Sequence, residues 1–120
     1  MKRLHLICNA HLDPIWQWEW EEGAAAALST FQSAANLAEK YDYIFCHNEV
    51  NLYKYTEKYA PALFAQIQKL VKQGKWHIMG GWYLQPDCLM PSGEGMLRQI
   101  REGELYFKEK FGVMPTTAVN

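Results

Sequence analysis

Leu4-His5-Leu6-Ile7-Cys8-Asn9-Ala10 runs without a break into His11-Leu12-Asp13-Pro14-Ile15-Trp16, and that junction decides the fold. Residues 4–10 alternate as a strand does, with Leu4, Leu6, Cys8 and Ala10 on one face and His5, Ile7, Asn9 and then His11 on the other. The second face turns polar only toward its C-terminal end. Pro14 has no N–H to donate and restricts the residue before it, so regular pairing is expected to stop there.

Beyond the junction the apolar period changes from 2 to 3.6. Over residues 23–41 the alanines recur at helical spacing with Leu28, Phe31, Ala35 and Ala38, without an internal proline, which predicts a helix. A short strand is expected over residues 43–47, then a helical turn or two over 49–59. A further helix begins at Pro61, carries the stripe Leu63, Phe64, Ile67, Leu70 and Val71, and ends at Gly74. Residues 76–79 read as another strand, stopped by Gly80 and Gly81, and residues 82–95 form the longest loop. A last helix over about residues 94–111 presents Leu97, Ile100, Phe107 and Phe111 and stops at Gly112. Residues 116–120 read as the beginning of a fourth strand. The alternation of strand and helix calls for a parallel sheet with right-handed crossovers, an α/β architecture. Ligands collect at the C-terminal ends of such strands, where His11, Asp13, Asn48 and residues 80–87 all fall.

Composition narrows the partners. The chain has 120 residues, enough for one domain with its own core, and is 49% hydrophobic and 21% charged, as a folded globular protein is. Twelve basic residues against thirteen acidic give a net charge of -1, which argues against nucleic acid and anionic membranes as partners. Five tryptophans and seven tyrosines suit a sugar-binding surface, because sugar rings stack their apolar faces on aromatic planes. Cys8, Cys46 and Cys88 are odd in number and lack a C-x-x-C pair, which fits reduced, buried thiols and a cytoplasmic location. The N-terminal apolar run is broken by His5 and makes a poor signal peptide, and no stretch approaches a membrane span, so a soluble chain is expected.

His11 and Asp13 lie two apart in an extended segment and project to the same side, so both can reach one ion. An imidazole nitrogen and a carboxylate oxygen suit zinc at roughly 2.0–2.2 Å, but a catalytic zinc needs at least one more protein ligand and an open position. The plainer reading is that His11 caps a loop and Asp13 turns the chain into Pro14. Trp16, Trp18 and Trp20 are read first as packing residues, with Trp16 the best sugar-stacking candidate because it sits nearest the proposed ion. Glu19, Glu21 and Glu22 fit a helix start better than a general acid. His47 is read as hydrogen-bonded rather than ligating, and His5 and His77 as structural. Asp87 either orients a substrate hydroxyl or holds its turn. Ser92 reads as a helix cap. The sequence contains no Gly-rich phosphate loop, nucleophile elbow or Cys-rich zinc pattern.

The run from Asn9-Ala10-His11-Leu12-Asp13-Pro14-Ile15-Trp16 through Gln17-Trp18-Glu19-Trp20-Glu21-Glu22-Gly23 closely resembles the start of the catalytic domain of glycoside hydrolase family 38, the retaining α-mannosidases. Later stretches agree in order and spacing, among them Phe31-Gln32-Ser33-Ala34, Gly80-Gly81-Trp82 with Pro86-Asp87-Cys88, and Pro91-Ser92-Gly93-Glu94. Arg98-Gln99 and Tyr106-Phe107 before Phe111-Gly112 continue the likeness over essentially the whole chain. The resemblance implies that His11 and Asp13 are two ligands of a catalytic zinc, or of another divalent ion, and that Trp16 packs against the sugar being cleaved. It implies a seven-stranded parallel β/α barrel, with residues 1–120 its first part, cut at about the fourth strand. The nucleophilic aspartate of a D-x-F-G-type motif, the acid/base carboxylate and the last metal-binding histidine are then expected beyond Asn120. On that reading the chain is inactive alone and needs the rest of the enzyme or a second copy, and the substrate is a mannose-containing oligosaccharide or glycoside. Asn9 departs from the Gly or Ser of many relatives at a position that is not a ligand.

Two other functions compete. A metal-dependent carbohydrate deacetylase also uses His and Asp on a distorted barrel, but a second ligating histidine pair shortly after the first helix is missing. The other is a noncatalytic α/β module that binds sugar weakly or self-associates.

Overall fold

The helix built on the alanine run, α1 (Trp20–Lys40), starts three residues before the alanine pattern predicts. The Glu22 carboxylate reaches back to accept the Glu19 backbone N–H at 3.3 Å, and Glu21 and Glu22 occupy the first turn, where the helix dipole favours anions. These glutamates therefore serve the helix start. In the computed structural model, which describes residues 2–119, the order continues as β1 (Phe45–His47), α2 (Val50–Tyr59), α3 (Pro61–Lys72), β2 (Trp76–Ile78) and α4 (Gly93–Phe111). Pro61 opens α3, its missing N–H costing nothing in a first turn. Ser92 caps α4, its Oγ accepting the Gly95 N–H at 3.2 Å, and Gly112 closes that helix at φ 71°.

Strands β1 and β2 pair in parallel, with Phe45 opposite Trp76 and His47 opposite Ile78. On the other side of β1, Cys8 makes a single parallel bridge to Phe45, with the Cys46 N–H donating to the Cys8 carbonyl at 2.7 Å. The N-terminal segment, β1 and β2 thus lie side by side in chain order. Helices cover this layer with buried Ala27, Ala35, Ala38 and Phe31 from α1, Leu52 and Tyr53 from α2, Ile67 and Leu70 from α3, and Phe107 from α4. Phe31 and Tyr53 sit 5.3 and 6.5 Å, centroid to centroid, from the Trp76 ring. A buried polar chain pins this cluster: Trp76 Nε1–H donates to Tyr53 Oη at 2.9 Å, and the Tyr53 hydroxyl donates to the His47 carbonyl at 3.2 Å.

Several expectations need correction. Residues 4–10 do not form a regular strand among the described residues; they touch β1 at one bridge, and Leu4, Leu6 and Ile7 remain exposed. A strand is a property of its neighbours, and alternation alone does not supply one. Residues 116–119 are likewise irregular, and Asn120 lies outside the described residues. Pro115 packs against Gly81, and the Trp82 indole N–H holds the Val119 carbonyl at 2.8 Å. The turns expected over 49–59 are a full ten-residue helix, α2. The cysteines are less buried than expected: Cys8 and Cys88 are exposed and Cys46 is half-buried, all three free. The result is a mixed helix and strand domain with a two-stranded parallel sheet, consistent with the α/β class.

Candidate functional site

Glycine notches fix the loops at the C-terminal edge of the sheet. A Cβ on Gly23, in the first turns of α1, would stand 2.0 Å from the Pro14 carbonyl oxygen, so only glycine lets the helix seat against the loop that carries His11 and Asp13. A Cβ on Gly103 of α4 would lie 1.7 Å from the Gly81 carbonyl oxygen, and one on Gly80 would lie 2.6 Å from Asn48 Cβ. The loops after the N-terminal segment, β1 and β2 are thus each held by a close contact at a glycine.

Together they enclose a cleft of about 390 Å³ lined by His11, Asp13, Pro14, Ile15, Glu49, Asn51, Leu84, Gln85, Pro86 and Asp87. A smaller hollow of about 230 Å³ beside Trp82 has one ionisable lining residue, Glu104, and offers less chemistry. His11 Nε2 and Asp13 Oδ1 stand 3.3 Å apart, with side chains 68% and 40% exposed. Asp87, another lining residue, is exposed and accepts the Leu89 N–H on Oδ1 at 2.9 Å. It therefore holds its turn while lining the cleft, so the two roles weighed for it are compatible. Trp16 is 68% exposed and follows the lining residue Ile15, so it is not a core residue. Trp18 donates its indole N–H to the Asp13 carbonyl at 3.3 Å, and Trp20 stacks on Tyr59 at 6.3 Å. Neither is deeply buried, at 39% exposure each.

His47 is fully buried among Phe31, Phe45 and Tyr53, with Nδ1 against the Asn48 carbonyl. Burial pushes its pKa down to about 4, against the opposing pull of the Asn48 and Ala10 carbonyls, so the ring is neutral at pH 7. Among the described residues, His47 Nε2 and Asn48 Nδ2 have no partner within hydrogen-bonding geometry, so the Ala10 carbonyl acts on the His47 ring without a well-formed bond.

Glu49 was not singled out by sequence reasoning, and it belongs to the cleft. It is 4% exposed, and its Oε1 accepts the Gln85 N–H at 3.1 Å. Burial raises its pKa, the Gln85 N–H and His11 oppose that shift, and Asp13 adds to it. The available signal was its place two residues after β1, at the edge that collects ligands.

The donor set can be compared with a metal site. Two ligands of a tetrahedral zinc at about 2.0–2.1 Å lie about 3.3–3.4 Å apart, which matches the His11 to Asp13 separation. Among the described residues no group of three or more His, Cys, Asp or Glu side chains converges. The pair fits one side of a metal cage.

A family model described as glycosyl hydrolases family 38 N-terminal domain matches residues 1–120. The chain belongs to glycosyl hydrolase family 38. Proteins similar to it include alpha-mannosidase 2C1 of Mus musculus, 29% identical over 112 residues that make up 92% of this chain and 11% of that protein. Alpha-mannosidase G of Dictyostelium discoideum is 26% identical over 111 residues, 92% of this chain and 10% of its own length. Alpha-mannosidase of Saccharomyces cerevisiae is 26% identical over 109 residues, 89% of this chain and 10% of its own length. The chain therefore spans about a tenth of the length of these relatives. No helix among the described residues is long and apolar enough to cross a membrane.

Proposed function

We propose that this chain forms one wall of the active site of a zinc-dependent retaining α-mannosidase that hydrolyses terminal α-linked mannose. The observation that carries the reading is the His11 and Asp13 pair, 3.3 Å apart in the lining of a cleft, in a family 38 domain. Family membership and the mannosidase relatives favour this over a deacetylase.

His11 and Asp13 would hold the metal, with further ligands from elsewhere in the protein. Bound there, zinc supplies a Lewis acid and a template for sugar hydroxyls. Trp16 offers an exposed indole face for the apolar side of the sugar ring. Asp87 keeps one oxygen in its turn and offers the other to a substrate hydroxyl. Retention requires two carboxylates about 5–5.5 Å apart, one as nucleophile and one as general acid then base. We assign neither role to a residue of this chain. The N-terminal segment, β1 and β2 are the first three staves of the seven-stranded barrel, and the exposed row Leu4, Leu6 and Ile7 is covered by further protein or a second copy. The three free thiols support a reducing, cytoplasmic location.

The test is hydrolysis of an aryl α-mannoside by the full-length protein, before and after chelation. Turnover with retained anomeric configuration, lost on chelation and restored by zinc, is expected. Turnover unaffected by chelation, or none on α-mannosides, sinks the proposal.

A further inference from the structure

Glu49 is the one described residue other than glycine with a positive φ, at φ 66° and ψ 92°, a conformation L side chains rarely adopt. Such a turn persists only where its surroundings determine it. Here the chain leaves β1 and enters α2 so sharply that three successive residues address the same loop. The Glu49 carboxylate accepts the Gln85 N–H at 3.1 Å, the Val50 N–H donates to the Trp82 carbonyl at 3.1 Å, and the Asn51 N–H donates to the Tyr83 carbonyl at 3.0 Å. The two backbone bonds use donors that a helix start leaves free in any case. The carboxylate bond is different, because its side chain is almost wholly buried to make it. Gln85 lies two residues before Asp87, and both line the cleft with His11 and Asp13.

We propose that Glu49 is a positioning residue: its carboxylate latches the loop after β2 onto the end of β1 and so sets Asp87 in the cleft that His11 and Asp13 also line. Its consequence for sugar binding rests on the mannosidase reading. The latch itself rests on the Glu49 backbone and the Gln85 bond.

Three variants of the full-length protein separate the latch from a merely structural turn. Glu49→Gln keeps an oxygen for the Gln85 N–H. Glu49→Ala loses the acceptor and keeps the unfavourable backbone, and Glu49→Gly loses the acceptor but relieves that backbone. Hydrogen exchange at the Gln85 amide is expected to rise at least about tenfold in both Glu49→Ala and Glu49→Gly, and to stay within about threefold in Glu49→Gln. With an aryl α-mannoside, KM is expected to rise about tenfold in the first two with kcat nearly unchanged, and to be rescued in Glu49→Gln. Unchanged Gln85 exchange in Glu49→Gly shows that Glu49 only shapes a turn and overturns the proposal. Damage in Glu49→Gln equal to that in Glu49→Ala overturns it too. Failure of the mannosidase reading shows separately, as absence of wild-type turnover, and Gln85 exchange then decides the latch by itself.

Discussion

Replacing Gly23 with alanine sets helix propensity against the seat of the candidate metal pair. Within α1 the exchange should by itself favour the helix by about 1 kcal/mol. The added Cβ, however, would stand 2.0 Å from the Pro14 carbonyl oxygen, 2.7 Å from its carbonyl carbon and 3.0 Å from its Cα. These are backbone atoms of a buried residue, so no side chain can swing away; the loop or the helix must retreat by roughly 1 Å. Overpacking of this kind costs about 1–3 kcal/mol. Gly93, the first residue of α4, has nothing within 4 Å of its Cβ position and serves as the control. Chemical denaturation should place Gly23→Ala below Gly93→Ala by about 1–3 kcal/mol. Because Pro14 follows Asp13 directly, Gly23→Ala should also weaken metal binding by about tenfold or more. A Gly23→Ala protein as stable as wild type, with unchanged metal affinity, refutes the idea that this notch seats the loop.

Acid should destabilise the protein through His47. Its folded pKa of about 4 lies below the ordinary 6.5, so the unfolded chain takes up a proton first as pH falls. Stability is then lost progressively from about pH 6.5 to 4, by about 3 kcal/mol in all. Glu49, whose pKa is raised, acts in the opposite sense, so the quantity to measure is the difference in pH dependence between wild type and His47→Phe. Equal slopes in the two proteins would show that His47 is not the titrating group. Tyr53→Phe removes the acceptor of the Trp76 indole N–H and the donor to the His47 carbonyl. Leaving that buried N–H unpaired should cost about 1–3 kcal/mol by urea denaturation, and a loss below about 0.5 kcal/mol contradicts the pinning role given to this pair.

Elements whose evidence is local were legible in the sequence. The stripe Leu63, Phe64, Ile67 and Leu70 gives α3, and Ser92 with Gly112 bounds α4, because caps and 3.6-residue periods act within a few residues. The strands were less legible. Residues 4–10 have the alternation of a strand but make one bridge, and β1 is only three residues long, because pairing depends on distant neighbours. At the site, His11 and Asp13 stood out because their residue types are ligand types in a strand-end position. Glu49 did not, since glutamate carries no preference for the left-handed region it occupies, and its partner Gln85 is 36 residues away. Trp16, the best sugar-stacking candidate among three tryptophans whose plainer reading was packing, is exposed, and nothing in a lone tryptophan distinguishes those fates.

The central claim is that His11 and Asp13 bind zinc for glycoside hydrolysis. Its most direct test is calorimetric titration of zinc into the metal-free full-length protein and its His11→Ala variant. One tightly bound ion per chain is expected in the wild type, with a loss of at least about a hundredfold in affinity in the variant. Equal zinc affinity in the two proteins, or no stoichiometric binding by the wild type, contradicts it.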